Sequence, residues 1–330
     1  MPVTRENNIS QHPVDDSLTP IAIAANQEEY IADQVMPRLA PVQTQKFTWL
    51  KRKTNHALGG GKDRTLVGRT SSVRLVDYES EEIEDKTQDF GVGTVIPDDD
   101  QHQAGAKGVD PAAEATEDLM HIVHTEREQR VRNIVFNPAT YLPSQVEDLS
   151  GDPGSQFRDP NSKPIEVIED LLNTMAYRAN TMVIGRNDFS VLRRHPQMVK
   201  AHHGNEGDAG MAGLQTIATL FGLRNILVGP AFIDDDGALG DLSNTSRIWD
   251  GGIALLHINP RAAGGSANRI RLTFGATQPY RTPVAFRKFL DPGDAGLRGS
   301  WKIVAGESLK EFVSANFLGA FINDPSGPAS

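Results

Sequence analysis

The chain of 330 residues contains no cysteine. That excludes disulfides, thiol nucleophiles and every metal site built on thiolates. A chain this long without covalent staples must draw its durability from burial and from contacts with other chains. Also missing is any apolar run of the length a bilayer span requires. Residues 1–16 are polar and carry acids, without the basic-then-apolar layout of a secretory signal. The expectation is a protein that stays in the compartment where it is made. Positive charge is in short supply: 33 Lys and Arg stand against 43 Asp and Glu, a formal net charge of −10. Duplex affinity comes mostly from phosphate neutralisation, so a net acidic chain is a poor sequence-independent DNA binder. The same charge favours solubility at high concentration. What is present, 38% hydrophobic residues, supports a sizeable core in two or three compact units or one multi-lobed subunit.

Residues 1–45 read as an extended arm. Val14, Leu18, Ile21, Ile23 and Val35 are scattered among Pro13, Pro20, Pro37 and Pro41, with a short helix over 25–34 capped by Asn26. Such an arm cannot bury its few apolar residues by itself. Residues 46–96 read as a long two-stranded ribbon. Phe47-Thr48-Trp49-Leu50 and Ser72-Val73-Arg74-Leu75-Val76-Asp77-Tyr78 have strand composition, with the loop Leu58-Gly59-Gly60-Gly61-Lys62 between them. An isolated hairpin is marginal in water and needs a surface to lie on. Charge along it is segregated. Arg38, Lys46, Lys51, Arg52, Lys53, Lys62, Arg64, Arg69 and Arg74 share their stretch with one acid, Asp63. Asp77, Glu79, Glu81, Glu82, Glu84, Asp85, Asp89 and Asp98 to Asp100 follow, with Lys86 the only base. A basic tip and an acidic base suit head-to-tail docking between identical chains, because complementary potentials set register and on-rate.

The periodicity predicts a long helix over 111–136. Asp110 is its cap, Pro111 its first residue, and Leu119, Ile122, Val123, Arg127, Arg130, Val131, Ile134 and Val135 follow the i, i+3, i+4 rule. Acids near its start and Arg127, Arg130 and Arg132 near its end favour the helix dipole. Further helices are predicted over 164–176 (entered at Ser162 or Lys163), from Asn187 or Asp188 through Leu192, and over 213–221 with Gly222 as the stop. Strands are predicted over 181–185, 224–229, 253–258, 270–274, 285–289 and 301–304; residues 309–317 fit strand or helix. This is an α+β protein whose arm and ribbon make sense only if partners bury them.

Motifs for chemistry fail one by one. His121 and His124 lie three apart on the long helix, but without a His-Glu-x-x-His pattern they read as interfacial or solvated. Gly59-Gly60-Gly61-Lys62-Asp63 lacks the Ser or Thr and the first glycine of a phosphate loop. Asp234-Asp235-Asp236-Gly237 lacks the alternation and terminal Glu of a calcium loop and reads as a solvated turn. Gly264-Gly265-Ser266-Ala267-Asn268 is no nucleophile elbow. His195 before Pro196 marks a helix end, and His202-His203 receives no role. No catalytic, cofactor-binding or metal-binding residue is assigned.

The residues do carry a family pattern. It comprises Ile96-Pro97-Asp98-Asp99-Asp100, Val109-Asp110-Pro111 before the long helix, and Phe157-Arg158-Asp159-Pro160-Asn161-Ser162-Lys163-Pro164-Ile165. Asn180 to Gly185, Leu192-Arg193-Arg194-His195-Pro196, Leu220-Phe221-Gly222-Leu223, Val228-Gly229-Pro230-Ala231 and Ile248-Trp249 follow. In this order they resemble the major capsid proteins of tailed bacteriophages, built on the Hong Kong 97-like fold. The resemblance implies an N-terminal arm over 1–45, an extended loop over 46–96 and a peripheral domain over 97–184 with its spine helix at 111–136. A mostly axial domain would cover 185–280, and 281–330 would return to the peripheral domain. It implies a structural, non-enzymatic protein that assembles into hexamers and pentamers of an icosahedral shell around double-stranded DNA. Its partners would be itself, a separate scaffolding protein, a portal and a possible decoration protein, without a membrane; it would reside in the virion capsid, and in the host cytoplasm during assembly. Trp49, Lys51, Arg52, Lys53, Lys62 and Arg64 would dock the loop onto a neighbour, and Glu79, Glu81, Glu82 and Glu84 would accept it. Three rivals stand beside this reading: an encapsulin-like nanocompartment on the same fold, a hydrolase or metal-dependent enzyme, and a tail-tube or other phage structural protein, which the long helix disfavours.

Overall fold

The computed structural model describes residues 18–19, 30–52, 66–72, 80–105, 110–203, 210–234, 245–259 and 272–327. A single helical turn, α1 (Ala32–Val35), precedes the strands β1 (Lys46–Arg52) and β2 (Ser80–Lys86). β3 (Gln88–Pro97) and α2 (Asp98–Gly105) lead into the long α3 (Pro111–Val135). Next come β4 (Val146–Asp148), α4 (Pro164–Thr174), β5 (Thr181–Gly185), α5 (Arg186–Leu192), α6 (Pro196–His203), α7 (Leu214–Leu220) and β6 (Asn225–Gly229). The last elements are β7 (Phe232–Asp234), β8 (Thr245–Arg247), β9 (Gly252–Leu256), β10 (Gly275–Pro279), β11 (Val284–Leu290), β12 (Ser300–Val313) and β13 (Gly319–Asn323).

α3 forms for the reasons its sequence states. The Asp110 carboxylate accepts from the Ala112 N–H at 3.1 Å, Pro111 needs no donor partner at the first position, and Asn137-Pro138 stops the helix. Its apolar stripe is shared between two sheets. Ala112, Leu119 and Met120 pack against Ala285, Ile303 and Ala305. One end of the stripe, Val131 and Val135, with Phe136, packs against Val183, Ala254, Leu256 and Phe321. Ile122, expected within the stripe, is instead 45% exposed.

The first sheet is centred on β12. β3 runs antiparallel along one edge from Ser300 to Leu309, and β11 followed by β10 occupies the other edge. The second sheet has the order β4-β13-β9-β5-β6 and mixes parallel and antiparallel pairs. Its three central strands, β13, β9 and β5, are buried on both faces, and alternate side chains enter different cores. Met182, Ile184, Ile253, Leu255, Ala320 and Ile322 face α4 to α7. Val183, Ala254, Leu256 and Phe321 face the C-terminal half of α3. The long helix is therefore a spine that ties two sheets into one body.

Several expectations need correction. β2 at Ser80–Lys86 pairs with β1 and was not read as a strand; of the strand expected over 72–78, Ser72 is outside any strand and 73–78 lie outside the described residues, as do 25–29, 58–62, 235–237, 264–268 and 270. The predicted strand over 270–274 is displaced to β10. Residues 309–317 divide: β12 continues to Val313, a 3₁₀ turn covers Asn316–Leu318, and β13, absent from the sequence reading, follows. Asp188 does not cap α5. Its carboxylate accepts from the Gly251 and Gly252 N–H groups at 2.8 and 3.3 Å, and Gly185 holds the cap position. The helix end expected near His195-Pro196 is there: α5 ends at Leu192, and α6 starts afresh at Pro196.

Candidate functional site

β1 and β2 form the root of the ribbon. The register sets Lys51 opposite Glu81, Leu50 opposite Glu82, Trp49 opposite Ile83 and Thr48 opposite Glu84. Opposite charges directly across a ladder favour pairing; Lys51 and Glu81 are such a pair, whereas Lys46 faces Lys86, a like pair. The root is fixed to the body by aromatics. The Trp49 ring lies 4.5 Å from that of Phe312, centroid to centroid, with Phe47 on the same ring at 6.1 Å. Leu39 and Ala276 complete this cluster. At 5% exposure, Trp49 belongs to the core of its own chain. Glu81, Glu82 and Glu84 are exposed, and Lys51 is half-buried. Lys53, Lys62, Arg64 and Glu79 lie outside the described residues, as does the Arg52 side chain.

The segment before the ribbon is held by a buried ionic cluster that sequence reading missed. Arg38 donates to Asp33 at 2.8 Å and to Glu307 at 2.6 Å. Arg127, 2% exposed, donates to Asp33 at 2.7 Å and to the Thr277 hydroxyl at 3.2 Å. Arg130 reaches Glu311 at 3.3 Å and stacks its guanidinium 3.6 Å from the centroid of the Phe90 ring. Burial by itself would push the Asp33 carboxyl up, but the guanidinium groups of Arg127 and Arg38 overcome it and hold it below its ordinary value. Glu128, fully buried, accepts from the Ala32 N–H at 2.6 Å and from Trp249 Nε1–H at 2.5 Å. Burial pushes its carboxyl up. Backbone pairing adds to this hold: Leu39 and Val42 donate to the carbonyls of Thr277 and Pro279 at 2.8 and 3.0 Å. The one available signal was Arg127 inside the apolar stripe of the spine, an arginine where a helix faces its core.

The histidines serve structure. Tyr30 Oη lies 3.1 Å from His121 Nε2, and His124 is buried, with burial holding its imidazole below the ordinary value. Ser162 and His195 do meet, at 3.2 Å, both buried. However, His195 Nδ1 accepts from the Gln197 N–H at 3.1 Å, leaving Nε2 as the donor towards the Asp159 carbonyl at 3.1 Å. A ring with its proton on the serine side cannot serve as that serine's base. Among the described residues there is no His, Cys, Asp and Glu cluster able to hold a metal ion, and no helix long and apolar enough to cross a membrane.

The geometry is that of a two-sheet body with a spine and a two-stranded ribbon root packed on it. No family model matches the chain. It is 34% identical over 312 residues, 94% of this chain and 97% of the relative, to the major capsid protein of Pseudomonas phage JBD67. It is 24% identical over 277 residues, 80% of this chain and 82% of the relative, to the major capsid protein of Burkholderia phage BcepMu. Among solved structures, a phage-related protein from Bordetella bronchiseptica RB50 superposes with a TM-score of 0.74 at 19% identity, covering 97% of this chain and 100% of that one. The capsid protein of Cyanophage P-SCSP1u superposes with a TM-score of 0.56 at 8% identity, covering 98% and 91%. The structural likenesses speak for the fold and the sequence likeness for the family. The chain belongs to the bacteriophage major capsid proteins, on a Hong Kong 97-like fold.

Proposed function

We propose that this protein builds the phage head by self-assembly into hexamers and pentamers of an icosahedral shell enclosing double-stranded DNA. The carrying observation is the 34% identity to a major capsid protein along 94% of the chain. The ribbon supports the reading physically. An isolated hairpin is marginal, and the root of this one carries exposed Glu81, Glu82 and Glu84. In this reading Lys51, Arg52, Lys53, Lys62 and Arg64 of one copy approach Glu79, Glu81, Glu82 and Glu84 of the next, while Trp49 keeps the root at a fixed angle. Each exposed pair contributes about 0–1 kcal/mol; repetition over a shell gives them weight. Assembly takes place in the host cytoplasm with a separate scaffolding protein and a portal, a decoration protein can cover the finished shell, and the net charge of −10 suits DNA that is enclosed rather than bound.

Negative-stain electron microscopy and sedimentation of the recombinant protein, with and without scaffold, test this. Closed shells, tubes or rings are expected. A monomer at high concentration, even with scaffold, would overturn the reading. The double charge reversal Arg52→Glu with Lys53→Glu should leave a soluble subunit and few shells; shells in normal yield would remove the ribbon from the docking step.

A further inference from the structure

The loop over 291–299, between β11 and β12, is ordered and yet presents a bare leucine. Gly293, Gly296 and Gly299 turn its backbone at φ of 95°, 85° and 85°, values that a side chain would strain. The Gly293 N–H donates to the Gly296 carbonyl at 2.9 Å, the Ser300 hydroxyl to the Ala295 carbonyl at 2.7 Å, and Arg298 pairs with Asp99 at 2.7 Å. On this braced turn Leu297 is 91% exposed, the highest value among the large apolar side chains described.

The same end of the sheet holds a cleft of about 180 Å³ lined by Asp98, Gln101, His102, Ala112, Arg287 and Trp301. That is room for roughly six waters at ~30 Å³ each, the size class of one side chain. Its walls combine the Ala112 methyl and the Trp301 ring with a polar rim. Trp301 Nε1–H donates to Asp98 at 3.0 Å, and His102 Nε2 lies 3.5 Å from Asp98. Arg287 carries its guanidinium 5.7 Å from the centroid of the Trp301 ring. Asp291 and Asp294 precede the leucine in the same loop, acids opposite in sign to the Arg287 guanidinium on the rim.

We infer that Leu297 of one copy seats in the cleft beside Trp301 of a second copy. This rests on the shell reading above. The Arg298–Asp99 tether and the exposure of Leu297 keep it out of the cleft of its own chain. Knob and cleft sit at the same end of the sheet, so two copies can make the contact reciprocally about a two-fold axis, or each copy can make it once to the next around a ring. Either form closes, as a shell requires.

The absence of cysteine makes a clean test possible. Leu297→Cys and Gln101→Cys are purified separately, co-assembled where the unmodified chain forms shells, mildly oxidised and run without reductant. A dimer-sized band that needs both variants is expected. No band, or self-cross-linking of Leu297→Cys alone, would overturn the contact. Leu297→Ser should keep the parent's melting temperature and lower shell yield at least tenfold; unchanged yield would equally overturn it. If the unmodified chain forms no shells, both this contact and the shell reading fail. Shells with both assays silent remove the contact alone.

Discussion

The spine carries charge where a helix usually carries only apolar side chains, and the cost of breaking that arrangement is concentrated in one residue. Arg127 sits between Asp33, Thr277 and, at 3.9 Å, Glu311. Removing one member of a buried ion pair costs about 3–5 kcal/mol because the other is left charged and dry. Here Asp33 keeps Arg38 and Glu311 keeps Arg130. Arg127→Met should therefore cost about 3 kcal/mol, the low end of that range, read by urea unfolding. Arg130→Met, at a half-buried site, should cost distinctly less. A second buried acid sets a pH dependence. Burial pushes the Asp188 carboxyl up to about 6, aided by the neighbouring Asp250 and opposed by the amides of Gly251 and Gly252. The folded state then holds the proton more tightly than the unfolded chain. The stability this contributes is full below about pH 4 and is lost as pH rises through about 6. Asp188→Asn keeps an acceptor for the Gly251 N–H and carries no charge. It should be about 1–2 kcal/mol more stable than the parent at pH 8, less than the ~3 kcal/mol that two pKa units represent. The gain should vanish at pH 4, and thermal melts at the two pH values would show both.

At the scale of elements, the ribbon stands or falls at its root. Trp49 and Phe312 form the joint. Trp49→Ala should cost about 3–5 kcal/mol locally, seen as faster proteolysis within 46–52 while the helical circular dichroism of the body is retained. Which elements were legible in the sequence follows from where their reasons lie. α3 and the Gly222 stop, at φ of 64°, are stated by local chemistry. β2 was missed because Ser80-Glu81-Glu82-Ile83-Glu84-Asp85-Lys86 reads as a solvated acidic stretch; its strand depends on pairing with β1, with Trp49 opposite Ile83 and Lys51 opposite Glu81. β12 was cut short because Ala305-Gly306-Glu307-Ser308 looks like a turn. Pairing on both edges overrides propensity there. Gly306 is required by closeness, since a Cβ would lie 2.3 Å from the Phe90 carbonyl oxygen. Beyond the hint of Arg127 in the apolar stripe, the ionic cluster was illegible for the same reason: Asp33, Arg127 and Glu307 meet only through tertiary structure.

At the scale of the whole molecule, two electrostatic effects oppose each other. Subunits of net charge −10 repel over the Debye length, about 30 Å at 0.01 M salt. Ribbon contacts between Lys or Arg and Glu attract at close range in the proposed docking. Raising salt to about 0.1 M shortens the screening length to about 10 Å, which removes most repulsion between bodies and spares contacts at a few ångströms. At about 1 M the length is about 3 Å and the contacts weaken as well. Assembly followed by light scattering should therefore be fastest at intermediate salt. The double variant Arg52→Gln with Lys53→Gln, which removes two positive charges from a net charge of −10, should still gain from the first increase, because its bodies are more acidic than the parent's. It should lose the decline at high salt, because it has fewer attractive contacts left to screen. A parent whose rate only rises with salt would mean that apolar burial, not the ribbon's charge, drives the docking step.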